Sequence, residues 1–261
     1  MRYSLWMNGL RGEITFMRLS VTFKPQKTLH LPLNYQYVLQ GFLYRSLTSP
    51  HFADFLHEVG FQKGNRTFKL FTFSRLSGMH RILIKQKKIE FTDTITWHVS
   101  SVLETLIQQL AEYLMFSETI QLHGQVLTVE KLEIQRTKLE KNTYKIEMLS
   151  PVTVYSTYEK EDRKKTHYFQ PLDPVFPVLI ESNFENKYEA YHGKRPEHPF
   201  VIKPLQILDK YKVVTTFKGH IITGWLGKFE IESSPEQLAF AYDTGIGGRN
   251  SQGFGMFEIV E

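Results

Sequence analysis

From residue 17 the chain alternates apolar and polar side chains, with Leu19, Val21 and Phe23 set against Arg18, Ser20, Thr22 and Lys24, the period of a half-buried strand. The period then changes. Val38, Leu39, Phe42, Leu43 and Leu47 recur at helical spacing behind Asn34, a residue suited to an N-cap, and predict a helix over residues 33–47. A second, short helix over 52–59 follows Ser49 and Pro50, with Gly60 placed to end it. Strands are expected at 68–73, 81–85 and 88–91. Val99, Val102, Leu103, Leu106, Ile107, Leu110 and Leu114 then mark an amphipathic helix over 99–114, and strand character returns over 120–134.

The second half carries the same order without any residue-level repeat. It reads as a strand at 144–155, a helix at 174–188, strands at 201–215 and 220–231, a helix at 235–242 and a closing strand at 254–260. Strand, helix, strand, strand, helix, strand, taken twice, predicts an α+β chain of tandem ferredoxin-like (RRM-like, βαββαβ) domains. The boundary is expected within residues 138–142, giving domains 1–138 and 139–261. Residues 1–16 read as a peripheral extension, because Met17 opens directly into the strand pattern. The mixed-sign stretch over 159–165 reads as a solvated loop.

Composition narrows the partners. At 261 residues each half is long enough to bury a core, and 41% hydrophobic with 14% aromatic residues describes a folded protein. Lys and Arg outnumber Asp and Glu by 32 to 27, a net charge of +5 that mildly favours a polyanion. Cysteine is absent, which excludes disulfides, thiolate catalysis and cysteine-based zinc sites. The ten histidines never fall closer than six residues apart, and no acidic cluster accompanies a pair of them at ligand spacing, so neither a metal nor another cofactor is implied. No apolar run is long enough to span a membrane and the N-terminus lacks a signal core, so a cytoplasmic protein without a membrane partner is expected.

The last seventeen residues carry the candidate chemistry of binding. Gly245, Gly247, Gly248, Gly253 and Gly255 flank Arg249, Asn250 and Ser251, and the string runs into the closing strand. A glycine-rich loop can bring successive N–H groups onto one anion, with Arg249 as the matching charge; it can equally serve turn geometry alone. The phosphate loop of nucleotide hydrolases is excluded by its missing Gly-Lys-Ser/Thr. The dinucleotide fingerprint is excluded because its third glycine would fall on Asn250 and no helix follows. Lys218, beside Gly219, is a second candidate phosphate contact, whereas Phe254 is expected to pack inward.

Set on this architecture, the tail resembles the signature of CRISPR-associated endoribonucleases of the RAMP superfamily, which cut repeat RNA (pre-crRNA) into guide RNAs. The likeness extends over residues 17–21, 31–44, 55–60 and 69–74, and over 149–152, 217–219 with Gly224, and 245–256 in the second half. The resemblance implies tandem ferredoxin-like domains with the glycine-rich loop between the last helix and the last strand. It also implies a catalytic trio carried by Tyr44, His57 and Lys69, with Lys63 competing for the lysine because residues 61–68 look like an insertion. Such an enzyme needs no metal. The RNA 2′-hydroxyl attacks the adjacent phosphorus, leaving a 2′,3′-cyclic phosphate and a 5′-hydroxyl. His57 would move protons and Lys69 would stabilise the pentacoordinate charge. Tyr44 would act as base only if Lys69 lowered its pKa, and would otherwise position the 2′-hydroxyl or phosphate. A noncatalytic RNA-binding subunit of a CRISPR ribonucleoprotein complex is the alternative. An interference complex and a second copy of the chain stay open as further partners.

Overall fold

A computed structural model describes residues 16–160 and 163–260, so the expected N-terminal extension lies, apart from Phe16, outside the described residues. The first half runs β1 (Phe16–Pro25), β2 (Leu29–Pro32), α1 (Gln36–Arg45), α2 (Pro50–Asp54), a π-helical turn (Phe55–Val59), β3 (Phe61–Lys63), β4 (Arg66–Phe68), β5 (Phe71–Phe73), β6 (Ser77–Leu83), β7 (Lys88–Ser101), α3 (Glu104–Phe116), β8 (Ile120–Leu122) and β9 (Gln125–Thr137). The central strand β1 pairs antiparallel with β7 (Leu19 opposite Val99) and with β9 (Leu19 opposite Ile134). The far flank of β7 takes β5 and β6. The helices α1 and α3 lie over one face. Their Leu39, Leu43, Leu106 and Leu110 close a core around Leu19, Val21, Trp97 and Phe73.

The sheet changes across residues 138–142. The second half runs β10 (Thr143–Met148), β11 (Tyr155–Lys160), β12 (Arg163–Tyr168), α4 (Val175–His192), β13 (Val201–Gln206), β14 (Lys212–Phe217), β15 (His220–Trp225), β16 (Lys228–Glu232), α5 (Pro235–Thr244) and β17 (Phe257–Ile259). Its sheet order is β13-β16-β10-β17. In both halves the strands therefore stand last, first, third, second, the spatial order of a ferredoxin-like fold, and the α+β tandem architecture is as the pattern predicted. A second core forms from Phe184 and Ile180 of α4, Leu238 and Phe240 of α5, and Phe229 and Ile231 of β16.

Several boundaries move for physical reasons. Val99 belongs to β7 rather than to the helix over 99–114, which starts at Glu104; the strand claims it because it pairs with both β1 and β5. The expected single strands over 144–155, 201–215 and 220–231 each break: β10 stops at Met148, the other two divide to supply β14 and β15, which pair as a ribbon, and β11–β12 form a second ribbon. Within the charged stretch expected as a loop, Glu159, Lys160 and Arg163 to Lys165 are ribbon instead: Glu159 stands opposite Lys164 and Tyr158 opposite Lys165. Both ribbons pack over Phe254, which is buried as expected with Phe217 and Ile222. Strand β1 is not half-buried either. Arg18 is only 3% exposed, because its guanidinium lies 3.7 Å over the ring of Tyr242 on α5 and donates to the Tyr242 carbonyl. The two halves are packed against each other along that face.

Candidate active site and nucleic-acid cleft

Tyr44 sits at the C-terminal end of α1, where its ring closes the core edge-on against Phe71 of β5, 6.0 Å between centroids. The next segment brings His57 to it. The helix begun by Ser49 as N-cap widens after Asp54 into a π-helical turn, closed by the Gly60 N–H on the Phe55 carbonyl at 2.8 Å. Such turns recur at functional sites because they displace one side chain from the regular helical face. Here the exposed imidazole of His57 stands edge-on to the Tyr44 ring, 5.5 Å between centroids. Lys69, just after β4, donates from Nζ to the His57 carbonyl at 2.8 Å. The three residues named from sequence therefore meet.

Lys63 does not join them. Its ammonium forms a short ion pair with Glu189 of α4, across the junction between the halves. A residue that sequence reasoning missed does join: Glu58 Oε1 lies 2.5 Å from His57 Nδ1. With a proton on Nδ1, this contact orients the ring and leaves Nε2 for the reacting group, as carboxylates do for catalytic imidazoles. An exposed acid next to a histidine carries no periodic signal.

Burial shifts the titration of the other two. Desolvation pushes the Tyr44 phenol up to about 12, so it stays protonated. That is the reverse of the lowering a base would need. Desolvation lowers the Lys69 pKa, and the nearby Glu58 carboxylate partly opposes it.

Lys69 also lines a cleft of about 670 Å³ between the halves, walled by residues 66–71 on one side and by 153–157, the inner face of α4 and loop residues 247–252 on the other. The glycine-rich loop runs from Gly245, which caps α5, through a 3-10 turn at Asn250–Gln252 to β17. Its amides are mostly committed inward. The N–H of Gly245, Ile246, Gly248, Gly253 and Gly255 donate to the carbonyls of Ala241, Gly255, Thr153, Asn250 and Pro151. Asn250 Nδ2 likewise donates to the Ile246 and Phe254 carbonyls, 3.0 Å each. An amide cradle around one anion is not what most of these glycines build; they fold the loop against the first half, where Gln40 Nε2 donates to the Ser251 carbonyl and Thr72 Oγ1 to that of Phe254. Arg249 and Ser251 face the cleft. Lys218 lies at the tip of the β14–β15 ribbon, exposed and outside the cleft lining.

The second residue missed from sequence is Lys187 of α4, 2% exposed, whose ammonium donates to the carbonyls of Thr244 and Gly245 and to Asn250 Oδ1. It ties α4, the end of α5 and the loop together with neutral acceptors only. Its position on the stripe of Phe176, Ile180 and Phe184 was the available signal. Desolvation lowers its pKa from 10.5 to about 7. Between those values the unfolded chain binds the extra proton, so stability rises with pH across that window, by up to about 1.4 kcal/mol per pH unit. Urea unfolding from pH 7 to 9.5 should show a rise that Lys187→Met flattens; equal slopes in both proteins would remove the assignment.

Among the described residues no group of three or more His, Asp or Glu side chains could hold a metal ion, and no helix is long and apolar enough to cross a membrane.

Comparison with known proteins agrees with this architecture. Residues 30–133 match the family described as CRISPR-associated protein Cas6, N-terminal, and residues 133–259 match CRISPR associated protein Cas6, C-terminal. The chain is 27% identical over 249 residues to the CRISPR-associated endoribonuclease Cas6 1 of Methanocaldococcus jannaschii, covering 94% of this chain and 93% of that one. It is 26% identical over 255 residues to the CRISPR-associated endoribonuclease Cas6 of Pyrococcus furiosus, covering 93% and 90%. The solved structure of a Cas6-related protein from Pyrococcus furiosus superposes with a TM-score of 0.82 at 24% identity over 94% of this chain and 99% of that one. Two family segments that meet at residue 133, two ferredoxin-like sheets and full-length relatives lead to one conclusion: the chain belongs to the Cas6 family of CRISPR-associated proteins.

Proposed function

We propose that this protein is an endoribonuclease that cuts CRISPR repeat RNA by attack of the RNA's own 2′-hydroxyl. The observation that carries the reading is the meeting of Tyr44, His57 and Lys69 at the edge of the cleft that the glycine-rich loop also lines. The curated relatives from Methanocaldococcus jannaschii and Pyrococcus furiosus, named endoribonucleases, support it.

The 2′-oxygen bonds to phosphorus as the bond from phosphorus to the 5′-oxygen breaks. The products are a 2′,3′-cyclic phosphate and a 5′-hydroxyl, so one proton leaves the nucleophile and one reaches the leaving group. His57, held at Nδ1 by Glu58, carries proton transfer at Nε2. Tyr44 donates its phenolic hydrogen bond to the 2′-oxygen or a phosphate oxygen, and the Lys69 ammonium offsets the charge that builds on the phosphorane. The two halves divide the work: residues 1–138 supply the proton chemistry, while 139–261 hold RNA through Arg249, Ser251 and the rest of the loop, with Lys218 as an outlying phosphate contact. Gly245, Gly247, Gly248, Gly253 and Gly255 contribute by shaping that loop, and Asn250 by bracing it.

A labelled repeat RNA incubated in EDTA should be cut, and the same RNA with a single 2′-deoxy at the cut site should not. Loss of cutting in EDTA that added metal restores would overturn the reading. Tight binding of the unmodified RNA without any cutting would favour a noncatalytic RNA-binding subunit.

A further inference from the structure

The β3–β4 ribbon belongs to the first half by sequence and to the second by packing. It is inserted between two of the candidate catalytic residues, His57 and Lys69, and sets Phe61 opposite Phe68 and Lys63 opposite Arg66 around a turn at Gly64 and Asn65. Phe55, the first residue of the π-helical turn, packs on the first core, whereas Phe61 and Phe68 pack on the second. The Phe61 ring joins the two, standing edge-on to Phe55 at 5.6 Å between centroids and to Tyr191 of α4 at 5.5 Å. Next to it Lys63 pairs with Glu189 of α4, whose other carboxylate oxygen lies 3.7 Å from Arg195 Nε. The ribbon leaves the π-helical turn at Gly60, where φ is +62° and a Cβ would stand 2.7 Å from the Phe68 carbonyl oxygen, so both ends of the ribbon meet where that turn closes. His57 lies between Phe55 and Gly60, and its carbonyl takes Lys69 Nζ from just beyond the ribbon's far end.

We propose that the β3–β4 ribbon is a positioning strut for RNA cleavage: Phe61 and Lys63 are positioning residues that, through Tyr191 and Glu189, hold the His57 turn in register with the half that grips RNA. This role rests on the endoribonuclease reading above. In-line attack needs the imidazole, the 2′-hydroxyl and the phosphorus in one geometry, yet the imidazole comes from the first half and the grip on RNA from the second. A misplacement of about 1 Å can cost about 100-fold in rate. The glycine-rich loop ties the halves at Gln40 of α1 and Thr72 of β5, whereas the ribbon ties them at the candidate catalytic turn itself. Its anchor is the helix that also lines the cleft, through Leu179 and Ser182. Lys63 acts without touching RNA, because Glu189 engages its ammonium and it is not among the side chains that line the cleft.

The test is a double-mutant cycle on the full chain, read as single-turnover cleavage of repeat RNA at saturating protein in EDTA and as affinity for the same RNA with a 2′-deoxy at the cut site. Lys63→Met and Glu189→Gln should each slow cleavage about 3- to 10-fold, and the double variant should be no slower than either alone. Phe61→Ala removes both ring contacts and should slow cleavage roughly 10- to 100-fold. Affinity and the shape of the pH profile should stay those of the unmodified protein, since the strut places the reacting groups without changing their titration. Lys63→Arg, which keeps the charge, should cut at nearly full rate. The thermal midpoints of the Lys63 and Glu189 variants should hardly move, because an ion pair this exposed adds little to stability. Should Phe61→Ala melt below the assay temperature, the cycle alone decides. A Lys63→Met loss as large in the Glu189→Gln background as alone would place Lys63 in the chemistry and overturn the strut. Full-rate cleavage by Lys63→Met, or an affinity loss that accounts for the slower cutting, would overturn it too. If the unmodified protein binds repeat RNA but leaves it uncut, the functional reading beneath the strut fails instead.

Discussion

Alanine at His57 should slow cleavage of repeat RNA by about 10²- to 10⁴-fold, the usual worth of a positioned proton-transfer group, and leave RNA affinity unchanged. Binding survives because the imidazole is exposed and is not among the side chains that line the cleft. Single-turnover cleavage in EDTA, alongside filter binding of the 2′-deoxy substrate, separates the two effects. Full-rate cleavage by His57→Ala would end the assignment. The neighbours make the prediction sharper. Tyr44→Phe should cost less and leave the pH profile in place, because a phenol pushed up to about 12 is a hydrogen-bond donor at every working pH and not the group that titrates. Lys69→Ala should be the ambiguous variant, since Nζ both faces the cleft and holds the carbonyl of His57; its loss removes charge and loosens the π-helical turn together.

Which parts of this were visible in the sequence follows from what each residue does physically. The two ferredoxin-like halves were legible because helices such as α3 and strands such as β1 and β16 expose their periods plainly, and element order alone then restricts the topology. The start of α3 was not, because Val99 fits a helical stripe as well as a buried strand, and only its pairing to β1 and β5 decides for the strand. The β11–β12 ribbon was invisible for a different reason. Its register sets Glu159 opposite Lys164 without apolar alternation, a pattern that in one dimension looks like a solvated loop. At the site, Tyr44, His57 and Lys69 came from the family resemblance; no local pattern joins residues 44, 57 and 69. Glu58 and Lys187 needed coordinates. Glu58 matters only through a 2.5 Å contact with His57, and Lys187 only because burial strips its ammonium of every counter-charge.

The glycine-rich loop shows how a correct motif can carry the wrong physical role. Convergent amides would make the glycines a phosphate cradle, yet five of the loop's glycine and isoleucine N–H groups already serve carbonyls of the protein. What the loop presents to the cleft is the Arg249 side chain and the 3-10 turn behind it, anchored from the first half by Gln40 and Thr72. A loop that belongs by sequence to the second half is therefore also the clamp that holds the halves in register around the candidate active site.

Gly255→Ala should show this directly by lowering stability by about 3 kcal/mol or more, a large part of the roughly 5–15 kcal/mol that holds a typical domain folded. A Cβ at Gly255 would stand 1.9 Å from the Ile246 carbonyl oxygen and 2.6 Å from Asn250 Nδ2, at a φ of +78° that an L side chain rarely adopts. The left-handed backbone costs about 1–2 kcal/mol, and forcing apart packed atoms adds about 1–3 kcal/mol. Relief is blocked on both sides, since the Gly255 N–H is bonded to Pro151 and its carbonyl to Ile246. Gly253→Ala should fail comparably, its Cβ meeting the Phe73 ring of β5 at 2.4 Å, and should loosen the junction between the halves. Gly219→Ala is the control: φ is +82° there too, but nothing lies within 4 Å, so only the conformational cost of about 1–2 kcal/mol applies. Urea unfolding midpoints of the three variants order the effects. If the loop glycines existed to let amides approach a phosphate, Gly255→Ala would weaken RNA binding at unchanged stability; a structural clamp makes the stability fall first, with RNA binding lost as its consequence.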